Sequence, residues 1–290
     1  MDETVRGELT TVLELVSHET RARTLVELAV RRRESPHDEW LSFSELRRRV
    51  GHDDPGNFNY HLGRLRGSLI EQTDAGYRLS DVGHEFVAVL LSSRFDPDGD
   101  IAVPDETASC LLCSAPAHPA AVDGRLLVEC DAGHTFAATV GPDVLVDQPL
   151  ADALNIALFH TLSALRLALS GVCALCDGPV EQHESAAGGE VDTETEGSVR
   201  THSLLFVCRR CGGLVRAPAQ LFVVDHPRGV GLLYDHDVDV RESLWSAVAD
   251  HLGPTRYVSQ EPTRIAVPVT VGDEGITVIL DETGAVHRIS

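Results

Sequence analysis

The chain contains no lysine: all 24 of its basic residues are arginine, against 45 Asp and Glu, a formal charge of −21. It has one methionine, two tryptophans and only 5% aromatic residues. It also lacks a long apolar run. The most apolar window, "PLADALNIALFHTLSALRLALSG" (149–171), is interrupted by Asp152, Asn155, His160 and Arg166, short of a membrane span of about 18–20 residues. The N-terminal "MDETVRGELT" is acidic and polar, so no signal peptide is expected and a cytoplasmic protein is the default. The hydrophobic fraction of 43% argues against disorder, and 290 residues suffice for two or three domains.

An acidic excess without lysine resembles halophilic archaeal proteins, with a GC-rich genome as the plainer source of the Arg bias. In molar salt the Debye length is about 3 Å, so repulsion from DNA is screened. The charge is also uneven: residues 1–95 carry 13 Arg against 16 acids, and residues 96–290 carry 11 against 29. A nearly neutral N-terminal third inside an acidic chain suits a nucleic-acid-binding domain.

That third reads as helices. Leu9, Val12, Leu13 and Val16 fall at helical spacing in residues 3–16, and Ser17 offers a cap for a second helix carrying Leu25, Leu28 and Ala29 on one face. "SFSELRRRVG" follows, with Ser42 or Ser44 as cap and Gly51 as stop. Asp54 and Pro55 then open a helix in which Phe58, Leu62 and Leu65 face inward and Asn57, Asn59, Tyr60, His61 and Arg64 wholly or partly outward. Two short strands around Asp74-Ala75-Gly76 and a closing helix, 81–94, complete it.

Through "SHETRARTLVELA", "SFSELRRRVG", "NFNYHLGRLRG" and "YRLSDVG", this region resembles the ArsR-like winged helix-turn-helix transcription regulators. The resemblance covers about a third of the chain. It implies helix 54–66 in the major groove of double-stranded DNA, a wing beside the phosphates, and a homodimer on pseudo-palindromic sites. Asn bonds adenine edges and Arg guanine edges. Asn57, Asn59 and Arg64, with Tyr60 and His61, are therefore the base-reading candidates, and Arg47, Arg48, Arg49 and Arg78 the phosphate candidates. A winged helix used for protein docking is the alternative. The run Arg31–Arg33 needs no partner beyond a helix C-terminus.

Seven cysteines lie within residues 110–211, six of them in three C-x-x-C pairs. Cys110 and Cys113 are followed after sixteen residues by Cys130 and His134; Cys173 and Cys176 are followed after 31 residues by Cys208 and Cys211. Removing "ESAAGGEVDTETEGSVR" (184–200), which reads as a hairpin insertion with five acids, shortens the second gap to 14. Four soft donors per set point to two structural Zn²⁺ sites in zinc ribbons. His118 and Asp131 are local substitutes should His134 not be a ligand. Disulfides are disfavoured in a reducing compartment, and redox or metal sensing is a further alternative.

The expected fold class is multidomain α+β: a winged helix-turn-helix (1–96), a first ribbon (105–148), a connecting helix (149–170), a second ribbon (171–218) and a small α+β unit (219–290). The connecting helix carries Leu150, Leu154, Leu158, Leu162, Leu165 and Leu169, as a core stripe or a dimer seam; helices 3–16 and 81–94 are equal seam candidates. The last unit reads as two strands from 219, a helix from about Arg241 to Leu252 and a terminal meander. His226, Asp235, His236, Asp237 and Asp239 form a polar cluster, read as a loop capping that helix rather than a metal or acid/base site. No Gly-rich phosphate loop or nucleophile motif appears, so an enzyme is not expected. The function expected is transcription regulation, with repression by occupying promoter DNA. The alternative is an adaptor of the transcription machinery, similar to archaeal general transcription factor E, which joins a winged helix to a ribbon but lacks the second ribbon and the tail.

Overall fold

A computed structural model describes residues 10, 13–92, 103, 106–122, 125–183 and 202–290. Leu9, Val12 and the insertion 184–200 lie outside the described residues. The chain is mixed α+β and divides into two compact units, Met1–Pro97 and Asp98–Ser290. No described helix is long and apolar enough to cross a membrane.

In the first unit, residues 13–16 are helical and precede α1 (Glu19–Glu34), α2 (Phe43–Val50) and α3 (Pro55–Leu65). The antiparallel pair β1 (Ile70–Thr73) and β2 (Gly76–Leu79) leads into α4 (Asp81–Leu91). Local chemistry sets the ends. Ser42 caps α2 through the Glu45 amide and Gly51 ends it at φ 73°; Asp54 caps α3 through the Gly56 and Asn57 amides, with Pro55 in its first turn. The cap of α1 is His18, not Ser17: the imidazole Nδ1 accepts from the Thr20 amide at 3.2 Å. Leu25, Leu28, Leu46, Phe58, Leu62, Leu65 and Ile70 form the core, and Leu41 bridges to β2 through two backbone bonds with Tyr77.

α4 packs onto this core through a close backbone approach. A Cβ on Gly83 would overlap the Leu69 carbonyl, which is backbone and cannot swing aside. Gly83→Ala is therefore expected to destabilise the first unit by about 1–3 kcal/mol, read as a lower urea midpoint at unchanged m-value.

The second unit begins with the sheet β3 (Ala108–Ser109), β4 (Pro116–Val122), β5 (Arg125–Cys130), β6 (Thr135–Ala138), paired in that order. After α5 (Pro142–Asp147) and α6 (Leu150–Leu169) comes the sheet β7 (Val180–His183), β8 (Ser203–Cys208), β9 (Leu214–Pro218). Next are α7 (Gln220–Asp225), α8 (Pro227–Asp235) and α9 (Leu244–His251). The chain closes with the antiparallel meander β10 (Arg256–Gln260), β11 (Thr263–Val271), β12 (Glu274–Asp281), β13 (Val286–Ile289).

One hydrophobic core runs through all of these segments except β10, from Leu111 and Val128 through the α6 stripe to Phe222, Trp245, Val267 and Leu280. The leucine stripe of α6 is thereby spent on packing; only Leu169, at the last position, is exposed. Residues 219–235 depart from the strands expected of them. "QLFVV" is buried on every side, and a fully buried, largely apolar run carries no periodicity to separate strand from helix. α8 starts where Pro227 follows the capping His226.

Candidate metal centres and nucleic-acid interface

Two groups of cysteine and histidine ligand atoms converge among the described residues: Cys110, Cys113, Cys130 and His134, and Cys173, Cys176, Cys208 and Cys211, each set within 4.8 Å. The spacings are informative. Around a tetrahedral ion with metal–sulfur bonds of about 2.3 Å, two sulfurs stand about 3.8 Å apart, and an imidazole nitrogen stands about 3.6 Å from a sulfur. In the first centre, Cys113 and Cys130 Sγ are 3.8 Å apart, and His134 Nδ1 is 3.7 Å from Cys110 and 3.6 Å from Cys130. In the second, Cys173–Cys211 and Cys176–Cys208 are 3.7 and 3.6 Å apart. A disulfide has sulfurs about 2.05 Å apart, so these are free thiols at coordination distance. His134 completes the first set, while His118 and Asp131 stand outside it, both exposed and 4.0 Å from one another.

The turns are built for thiolates. The amides of Leu112, Leu175, Arg210 and Gly213 point at Cys110, Cys173, Cys208 and Cys211 Sγ at 3.3–3.4 Å. Backbone amides of Cys211 and Arg210 hold the Cys208 thiol down to about 6, whereas burial pushes Cys110 up to about 12. Metal binding must displace the remaining protons, so affinity falls as pH falls. A cation held there would offset the accumulated thiolate charge, and four protein donors per site would leave no open coordination position.

The polar cluster near α9 does not converge on a metal. Asp239 accepts from the Arg241 amide and guanidinium, holding a turn; α9 starts at Leu244 with no side-chain cap. His236 bonds the Leu232 carbonyl.

In the first unit, α3 separates its faces cleanly. Phe58, Leu62 and Leu65 are buried, while Asn57, Asn59, Tyr60 and Arg64 are exposed. His61 is not outward: it is 4% exposed, and its Nε2 is 3.0 Å from Asn57 Oδ1, so Asn57 spends its carbonyl on the helix itself. The four phosphate candidates divide. Arg48 is exposed and, like Arg64, in no ion pair among the described residues. Arg47 turns back to the His52 and Asp53 carbonyls at 3.0 and 2.7 Å. Arg49 is held by Glu34, Glu45 and Glu27 at 3.1–3.9 Å. Arg78 is clamped by Glu39 and Glu71 at 2.6 and 2.8 Å and lies over the Trp40 ring. Neutralised arginines attract phosphate poorly.

Arg66 and Gln72 were not among the candidates. Their 2.7 Å bond joins the end of α3 to β1, beside a cleft of about 70 Å³ that Asn59 also lines. The second arginine of "GRLRG" was the signal for them.

His61 stacks 4.0 Å from His18, with His52 at 6.1 Å and Arg21 nearby. Burial first, then these three neighbours, lowers its pKa below the ordinary 6.5. A depressed folded value means the stabilisation is complete above 6.5 and is lost as pH falls through the folded value. The first unit should thus melt at lower temperature on acidification below pH 6.5, and His61→Gln should flatten that dependence.

Residues 107–286, more than half of the chain and inclusive of both centres, match the family described as Domain of unknown function (DUF7351). The chain belongs to that family. Residues 10–90 match a second, Domain of unknown function (DUF7347), whose span takes in α1 to β2 and nearly all of α4. The DUF7351 span thus takes in both metal centres and α9, and the DUF7347 span the exposed face of α3. No curated protein and no solved structure matches the chain.

Proposed function

We propose that the chain is a DNA-binding transcription regulator of the ArsR-like winged helix-turn-helix type. Zn²⁺ at both centres would brace two ribbons in its second unit, and its role would be non-catalytic. One observation carries the reading: α3 turns Asn59, Tyr60 and Arg64 to solvent on the face opposite its core residues, beside the β1–β2 hairpin. Amide and guanidinium groups on one exposed helix face suit base edges in a major groove. The exposed Val82, Val89, Leu90 and Leu91 of α4 support a homodimer, and occupation of a promoter would repress. The experiment is a gel shift and footprint across a salt series, since affinity without stated salt has no meaning. Discrete protected promoter sites support the regulator. Co-purification with RNA polymerase and no footprint would support an adaptor instead, a reading favoured by the exposed Leu175 and Leu214 beside the second centre.

A further inference from the structure

We propose that the second centre is a peroxide-responsive switch: Cys211 is oxidised first, Cys173 closes a disulfide onto it, and the metal leaves while the rest of the second unit stays folded. The inference rests on metal filling that centre, and not on DNA binding.

The two centres share one plan and differ in their outermost ligand. Each joins a Cys-x-x-Cys turn, closed on a left-handed residue (Ser114 at φ 60° or Asp177 at φ 53°), to a second ligand pair that starts at the end of a longer strand, with Cys130 on β5 or Cys208 on β8. The fourth ligand of the first centre is His134, half-buried; that of the second is Cys211, exposed. Of the seven cysteines, Cys211 alone is exposed. An imidazole forms no sulfenic acid. A metal-bound thiol is deprotonated, and its thiolate is the form that peroxides oxidise.

Cover divides the centres in the same way. In the first, Cys110, Cys130 and Leu111 belong to the shared core, and Leu112 and Cys113 pack against it. α9 lies along this turn: Trp245 donates its Nε1–H to the Ser109 carbonyl at 2.9 Å and stacks edge-on against Phe136, and four residues on, the Ala249 carbonyl accepts from Ser114 Oγ. In the second, Cys173 and Cys208 lie outside the shared core. Among the described residues, the hydrogen bonds of 173–178 and 208–213 stay within the module.

The resolving partner is in place. Cys173 is buried, with its Sγ 3.7 Å from that of Cys211, a side-chain rotation away from the about 2.05 Å of a disulfide. The Cys211 thiolate attacks a hydroperoxide oxygen; the S–O bond forms, the O–O bond breaks, and the departing oxygen takes a proton and leaves as water or an alcohol. The Cys173 thiolate then attacks the Cys211 sulfur. The S–S bond forms, the S–O bond breaks, and hydroxide takes a proton and leaves as water. Two electrons pass from the sulfur pair to the peroxide. Two of the four donors are thereby consumed, leaving Cys176 and Cys208, themselves 3.6 Å apart and able to close the same way with a second peroxide.

The fold tolerates this loss. Leu204 and Phe206 of β8 and Ala217 of β9 fasten the sheet to the shared core, away from its ligand end. Release of the ion unties a tip. The first centre has no such separation, because two of its ligands are core residues.

The test treats full-length, zinc-loaded protein with hydrogen peroxide in small molar excess. Free zinc is followed with a chromogenic chelator, disulfides by peptide mass mapping and unfolding by calorimetry. One ion of the two is expected to leave, with a Cys173–Cys211 disulfide formed and the second unit's transition lowered but retained. A dithiol and fresh zinc should restore the starting state. Cys211→His gives the second centre the ligand set of the first and should keep both ions at the same dose. Should that variant fail to hold its second ion, the disulfide map of the unsubstituted chain decides. Release of both ions together, disulfides only elsewhere or only between two chains, or unchanged release from Cys211→His would each overturn the switch. A chain that holds two ions and keeps both under peroxide defeats the switch alone. One that never takes up a second ion defeats the metal reading along with it.

Discussion

Stripping the metal from the first centre should unfold residues 98–290 as a block, while the first unit keeps its own transition. Structural Zn²⁺ contributes about 10–16 kcal/mol of apparent binding free energy at neutral pH. A domain's net stability is about 5–15 kcal/mol, so loss of the ion is enough to reverse folding. The two centres should differ in severity. Cys110 and Cys130 belong to the shared core, and Cys113 packs against it; Cys173 and Cys208 are buried outside that core, and Cys211 is exposed. Cys130→Ser is thus expected to abolish the second unit's calorimetric transition, and Cys211→Ser to lower it while leaving α6 and the meander folded. Calorimetry alongside zinc-to-protein ratios checks this. An unchanged transition after verified metal removal would sink it.

The second large effect concerns DNA. Asn59→Ala and Arg64→Ala should each cost about 1–3 kcal/mol, roughly five- to 150-fold in affinity, and relax preference at one base pair apiece. Neither should change folding, because both side chains are exposed. Arg48→Ala should instead weaken all sequences alike and lower the salt slope by about one. Arg49→Ala and Arg78→Ala should leave the slope unchanged, since their charge is already committed to Glu27, Glu34, Glu45, Glu39 and Glu71. Affinities measured from low to molar salt separate the two groups; site-specific binding retained by the Asn59 and Arg64 double variant would reject the assignment.

The residues legible in the sequence were those whose signal is local. Cysteine and histidine spacing picked out the eight residues whose donor atoms converge, because a C-x-x-C turn and its partner strand are nearly self-contained. Ser42, Gly51, Asp54 and Pro55 marked helix ends for the same reason. His61 was misplaced because helical periodicity puts it on the border of the buried face, and only its stacking on His18 decides the side. Arg49 and Arg78 read as free cations because most of the acids that hold them come from other elements, Glu39 lying 39 residues from Arg78 and Glu34 on the helix before that of Arg49. Residues 220–224 failed for want of any periodicity in a segment buried all round. None of the cover given by α9 to the first centre could be read locally.

That cover sets an order of assembly. Cys110 to His134 span one hairpin and can gather an ion as soon as they leave the ribosome, but Ser109 and Ser114 meet Trp245 and Ala249 only about 135 residues later. A hairpin that has gathered an ion would therefore wait, with an apolar flank bare, through the synthesis of α6, the second centre and α8. Contacts this distant in sequence close slowly, and the waiting species is the one most prone to aggregate. Trp245 fluorescence should consequently report the last event in folding, after the metal is already bound.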